Sequence, residues 1–153
     1  MPLSFEKYLL LFSTELELVN NNSWIMSKLI IDAASDKIFF MIINKDNNYN
    51  ITHENTKINY EKLTILINEF LNMKNLNFNK ISEIYVNRGP GSFAGVRNSL
   101  SIVKAFYLAK KIDYYCFSFD DFDGKNQVKY ENIPKLCEEF KVEKNLIKPI
   151  YLS

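Results

Sequence analysis

The sequence predicts an α/β domain in which a mixed sheet is flanked by helices, with elements in the order βββαβαβ. Three observations carry this. Three strand-like runs follow one another between Lys28 and Glu54, with connections too short for a parallel crossover. Two later stretches repeat apolar residues at helical spacing. Each is followed by a further apolar run, and helical crossovers of this kind set the later strands parallel.

The elements follow in chain order. Met26 is the expected start of the domain. The preceding residues 1–25 hold "FEKYLLLFSTELELV", whose spacing suits a short helix, and the polar run "NNNS". Glu6 and Lys7 cancel and no small-residue cleavage site follows, so a secretory signal is not indicated. The expectation is an added arm or an upstream-start extension; the alternative is a docking helix that covers an exposed edge. "KLIIDAASDKIFFMII" reads as a strand ending at Asp32, a tight connection at Ser35 to Lys37, and a second strand from Ile38 to Ile43. "NKDNNYN" supplies turn formers and "YNITHE" a third strand. Tyr60 to Met73 is the first helix, with Asn59 available as its N-cap. Ile81 to Val86 is the fourth strand, Phe93 to Lys111 the second helix and "IDYYCFSF" the fifth strand.

The two helices are more apolar than one sheet face requires. In the second, Val96, Leu100, Val103 and Tyr107 form one stripe, while Ile102, Phe106 and Ala109 lie on another side. In the first, Leu63, Ile67 and Phe70 stand beside Leu66 and Met73. About 35 residues follow the fifth strand, which leaves little chain to cover the surplus. A partner surface is therefore expected, with Leu63, Ile67, Phe70, Val96, Leu100, Val103 and Tyr107 as its candidates.

Composition sets outer bounds. A chain of 153 residues suits one domain with a real core. Its 19 basic and 18 acidic residues give a net charge of +1, with no global pull toward nucleic acid. Cys116 and Cys137 lack CxxC spacing and a ligand cluster, so neither a disulfide scaffold nor a zinc site is indicated. Apolar runs stop far short of the roughly 18 residues a membrane span needs, and the cytoplasm is the expected location.

The stretch "VNRGPGSFAGVRNS" (Val86 to Ser99) carries the chemistry, and both arginines of the chain, Arg88 and Arg97, flank its glycines. A Walker A loop is excluded because the GK[ST] ending and its phosphate-reaching lysine are missing. Gly89, Gly91 and Gly95 give GxGxxxG, one residue longer than the dinucleotide fingerprint. What remains is a strand that ends, a tight reversal, and helix-start amides able to hold an anion. Asp32, at the end of the first strand, could face the same crevice and hold a metal ion or a positive group. A nucleotide site and an architectural turn both fit. Arg97 is expected to order the loop through its carbonyls or Asp32, and to matter more than Arg88. His53 is expected as an exposed or turn residue rather than a catalytic base. Asp120, Asp121 and Asp123 read as a solvated acidic turn or, less simply, a metal cluster.

"KLIIDAAS" followed by "ISEIYVNRGPGSFAGVRNSLSIVKAF" resembles the bacterial TsaB family, formerly called YeaZ, whose signature reads roughly "LxIDTS" and then "VxxGPGSFTGLRIG". "HENTKINYEKLTILINEFL" and the closing "PIYLS" are similar to further family segments. The resemblance implies the actin-like ATPase (ribonuclease H-like) fold. It also implies a noncatalytic subunit supporting a TsaD-like protein, with a TsaE-like ATPase, in threonylcarbamoyl transfer to adenosine 37 of ANN-decoding tRNAs. It places partner contacts on the two long helices, where a homodimer is a further expectation; tRNA would be touched only indirectly. No cofactor or metal is expected. Asp32, Gly89, Gly91, Ser92, Gly95 and Arg97 would then form a vestigial phosphate crevice or a structural one. Ala33 and Ala94 stand at family threonine positions and Asn98-Ser99 replaces Ile-Gly, which removes hydroxyls from that crevice. Residues 26–122 match the family's first actin-type half, and residues 123–153 are expected as a reduced counterpart of its second. A free-standing kinase or hydrolase of this fold and a homodimeric scaffold without a tRNA role are the alternatives.

Overall fold

In the computed structural model, which describes residues 26–123 and 127–151, β1 (Ser27–Asp32) lies at the centre of the sheet. Five of its six residues are buried, as a strand covered on both faces requires. β2 (Lys37–Ile43) returns antiparallel to β1 with Asp32 opposite Phe39, and β3 (Asn48–Glu54) returns antiparallel to β2 with Lys37 opposite Glu54. β3 alternates exposed and half-buried residues, the pattern of an edge strand with one face on the helices.

The chain then crosses over through α1 (Lys57–Glu61) and α2 (Leu63–Met73) to β4 (Ile81–Asn87), and through α3 (Phe93–Lys110) to β5 (Asp113–Phe117). Both later strands run parallel to β1 or to each other, giving the order β3-β2-β1-β4-β5. This mixed sheet flanked by helices is the expected actin-like, ribonuclease H-like arrangement. The first helix begins earlier than its apolar spacing suggests. Thr56, not Asn59, caps it by accepting from the Asn59 amide, while the Asn59 side chain donates to the Glu54 carbonyl.

One sheet face carries Leu29, Ile31, Phe40, Ile42, Ile84 and Tyr114 against the three helices. The second carries Ile30, Met41, Tyr85 and Phe117 at the end of β5, and it is covered by the chain that follows: Phe122, and Ile133, Leu136 and Cys137 of α4 (Ile133–Glu139). The short C-terminal stretch thus closes a face that composition alone leaves open. The two stripes on α3 have a matching explanation. Val96, Leu100 and Val103 are buried on the sheet, and Ile102 and Phe106 turn toward the neighbouring helices, with the Phe106 ring 4.0 Å from that of Phe78. No helix among the described residues is long and apolar enough to cross a membrane. Residues 1–25, with the arm or docking helix expected there, lie outside the described residues.

Candidate functional site

Because β1 and β4 run parallel, their C-terminal ends bring Asp32 and the glycine loop together, the usual place for a ligand in an open α/β sheet. Asp32 is fully buried. Its Oδ1 accepts from the amides of Ala34 (3.0 Å) and Ser35 (3.1 Å), so it caps the β1–β2 turn. Its Oδ2 accepts from the Ser35 hydroxyl (2.8 Å) and from the Tyr130 phenol (2.6 Å), which arrives from the C-terminal stretch. Four donors match the roughly four lone-pair sites of a carboxylate. Asp32 is therefore saturated by its own chain, and the Tyr130 phenol is driven to a higher pKa, first by burial and then by the Asp32 charge.

The glycine loop is filled in the same way. A Cβ at Gly95 would stand 2.7 Å from the Ala33 carbonyl carbon and 2.9 Å from the Tyr60 ring, and one at Gly91 2.7 Å from the Ala34 carbonyl carbon. These positions need glycine because the β1–β2 turn lies directly on them, and the Ser92 amide donates to the Ala34 carbonyl at 3.0 Å. Ser92 then caps α3, accepting from the Gly95 amide at 3.2 Å. Gly89 has a φ of 103° and faces the backbone of Ile150, whose amide donates to the Arg88 carbonyl at 2.7 Å. The loop serves here as the seam between β1–β2, α3 and the C-terminal segment.

The two arginines exchange their expected roles. Arg88 is buried and forks onto Asp121, Nη2 to Oδ1 at 2.6 Å and Nε to Oδ2 at 3.3 Å, and its Nη1 donates to the Lys148 carbonyl at 3.3 Å. Asp121 also accepts from the Ser118 amide, so this one pair ties the end of β4 to the turn after β5 and to the tail. Arg97 is exposed on α3, beside Ile147, Pro149 and Tyr151, and reaches neither Asp32 nor the loop carbonyls. Asp120 and Asp123 stay exposed, and no cluster of three or more metal-ligating side chains forms among the described residues. His53 sits in β3, not in a turn, half-buried with its ring 5.9 Å from Phe40.

Leu63, Ile67, Phe70, Val96, Leu100 and Val103 are all buried in the chain's own core, and Tyr107 is half-buried with its edge on Tyr114. Hydrophobic spacing picked the inner faces of the helices. Their outward apolar residues are others: Ile58 and Ile65 are more than half exposed, as is Met73 at the end of α2. Tyr130 was invisible to sequence reasoning, because its partner lies 98 residues away. Asp121 had a signal, being an acid in a chain with only two arginines.

The family model for TsaD, tRNA N6-adenosine threonylcarbamoyltransferase, matches residues 54–118. The tRNA threonylcarbamoyladenosine biosynthesis protein TsaB of Buchnera aphidicola subsp. Baizongia pistaciae is 28% identical over 86 residues, covering 56% of this chain and 39% of that protein. YeaZ from Pseudomonas aeruginosa superposes with a TM-score of 0.57 at 17% identity, over 61% of this chain and 44% of that structure. A second structure, of an uncharacterized Pseudomonas aeruginosa protein with similarity to peptidase YEAZ, gives 0.56 at the same identity and coverage. The chain thus spans about two-fifths of the curated relative's length, and what it shares with the solved structures is the actin-like fold of YeaZ.

Proposed function

We propose that this chain is a noncatalytic subunit that binds a TsaD-like protein and supports threonylcarbamoyl transfer to adenosine 37 of ANN-decoding tRNAs. One observation carries the reading: the crevice where this fold places a ligand is occupied by the chain itself, through Asp32, Tyr130 and the seam at Gly91 and Gly95. The exposed apolar surface of the helices lies elsewhere, on their outer side. Ile58, Ile65 and Met73 project from α1 and α2, and Ala94, Ala105 and Ala109 face outward from α3. Small residues on one helix and large apolar ones on its neighbour suit a helical bundle, in which axes approach to about 8–10 Å. A TsaE-like ATPase then joins through the complex, tRNA is met through the partner, and the same helices serve a homodimer when the partner is absent.

The test mixes the full chain with the TsaD-like protein of the same genome and measures complex mass and tRNA modification. Ile65→Asp and Met73→Asp are expected to abolish binding while the isolated chain keeps its thermal unfolding midpoint. ATP turnover by the purified chain that disappears in Asp32→Ala would overturn the noncatalytic reading.

A further inference from the structure

A second apolar surface lies on the flank of α3 turned away from α1 and α2. Phe93, Arg97, Leu100, Lys104 and Leu108 follow at helical spacing, and the tail lies beside them, with the Tyr151 ring 4.8 Å from Phe93 and Ile147 and Pro149 lining the groove between. Phe93, Leu108, Ile147 and Tyr151 are all exposed among the described residues. The charges that line the groove, Arg97 and Lys104, are both cations, and the helix as a whole is one-signed. Between Phe93 and Lys111 there are four cations, Arg97, Lys104, Lys110 and Lys111, and no acid. With +4 here and +1 overall, the remainder of the chain carries −3. An apolar stripe edged by cations fits an amphipathic, acidic helix better than a polyanion, which would leave the exposed aliphatic and aromatic groups in water.

The chain contains one such segment. From Phe5 to Val19 the apolar residues Phe5, Tyr8, Leu9, Phe12, Leu16 and Val19 repeat at helical spacing, Glu15 flanks that stripe, and the three acids Glu6, Glu15 and Glu17 outnumber Lys7. Length and position agree as well. Ser27 starts β1 at the end of the sheet where α3 finishes and β5 begins, two strand spacings or about 10 Å away laterally. Asn20 to Met26, seven residues, reach at most about 23 Å. Fifteen helical residues measure about 22 Å, close to the roughly 24 Å of α3 from Phe93 to Leu108.

We infer that Phe5–Val19 of this chain docks in cis along the Phe93–Leu108 flank of α3, antiparallel to it, with Val19 near Leu108 and Glu15 beside Lys104. The segment thereby covers the groove between α3 and the tail.

The test is crosslinking in the full chain with a short bis-maleimide. Glu15→Cys is paired with Lys104→Cys, and for the control with Thr52→Cys on the far edge strand. Burial pushes the native thiols of Cys116 and Cys137 up to about 11 and about 12, so the introduced thiols react first near pH 7. The expected result is a monomeric crosslinked species that forms at least ten times faster for the Lys104 pair than for the control, and several times slower when Phe93→Asp is added. Equal rates for the two pairs would overturn the inference. So would a dimeric product, which assigns the groove to a second copy, or a Lys104 pair that crosslinks no faster than the control while Arg97→Glu weakens binding of a bulk tRNA probe, which assigns it to nucleic acid. Should a double variant fail to fold, loss of amide-exchange protection over Phe93–Leu108 in Leu16→Asp, against the wild-type full chain, reads the same contact, and unchanged protection refutes it.

Discussion

Replacing Gly95 by alanine separates the two meanings a glycine-rich loop can have. If the glycine served only to bring a ligand close to the backbone, an added methyl would leave the empty protein intact or stabilise it, because alanine favours a helix over glycine by about 1 kcal/mol. The structure requires the opposite. The new Cβ would lie 2.7 Å from the Ala33 carbonyl carbon, with the carbonyl oxygen nearer still, and 2.9 Å from the Tyr60 ring. Ordinary contact begins near 3.4 Å, so α3 and the β1–β2 turn must separate by at least 0.7 Å at that carbon. The neighbour is backbone pinned by Asp32, and it cannot rotate aside. Overpacking of this kind costs about 3 kcal/mol, the upper part of its usual range, which leaves about 2 kcal/mol of net destabilisation after the helix gain. For a domain of this size the unfolding midpoint should fall by roughly 4–8 °C in a thermal melt followed by circular dichroism. Ala94→Ser, at the exposed neighbouring position, should change it by less than about 2 °C. A Gly95→Ala variant that melts at or above the wild-type temperature would refute the reasoning.

Arg88→Ala should lower stability by about 2–4 kcal/mol in urea titration, since it strands a part-buried Asp121, while Arg97→Ala stays within about 0.5 kcal/mol; a double cycle with Asp121→Ala should show coupling above about 1 kcal/mol. Tyr114→Phe should raise stability by about 1 kcal/mol, because the Tyr114 hydroxyl is buried without a hydrogen-bond partner among the described residues, and a lower urea midpoint would contradict this. The Tyr130 phenol has a raised pKa in the folded chain, so the folded state holds its proton more tightly than the unfolded one. The stability this brings is complete below about pH 10 and is lost as pH rises from there. Between pH 9 and 11 Tyr130→Phe should therefore lose stability less steeply than the wild type, and parallel slopes would show that the phenol is not tied to Asp32.

The order of elements and the mixed sheet were legible because hydrophobic period and connection length are local properties. Boundaries moved by a residue or more at several ends: Thr56 caps the first helix early, that helix breaks in two at Lys62, and β5 is confined to Asp113–Phe117. The glycine loop was legible as a place but not as a use. GPGSFAG announces close backbone approach, yet only the fold reveals that Ala33, Ala34 and Ile150 are what approach. Tyr130, and the pairing of Arg88 with Asp121, depend on contacts across 98 and 33 residues and leave no periodic trace. The same limit holds for the faces of the helices. Helical spacing finds the most apolar stripe, and in Leu63, Ile67, Val96 and Val103 that stripe is the core, while the outward Ile65 and Met73 stand at its margin.

The most direct measurement of the central claim is the mass of the mixture of this chain with the TsaD-like protein of its own genome, by light scattering after gel filtration, for the wild type and Ile65→Asp. The account predicts a stable heteromeric complex with the wild type, and a folded, unbound chain for Ile65→Asp whose melting temperature is unchanged. A wild-type chain that elutes apart from the TsaD-like protein, or an Ile65→Asp variant that binds as the wild type does, would contradict it.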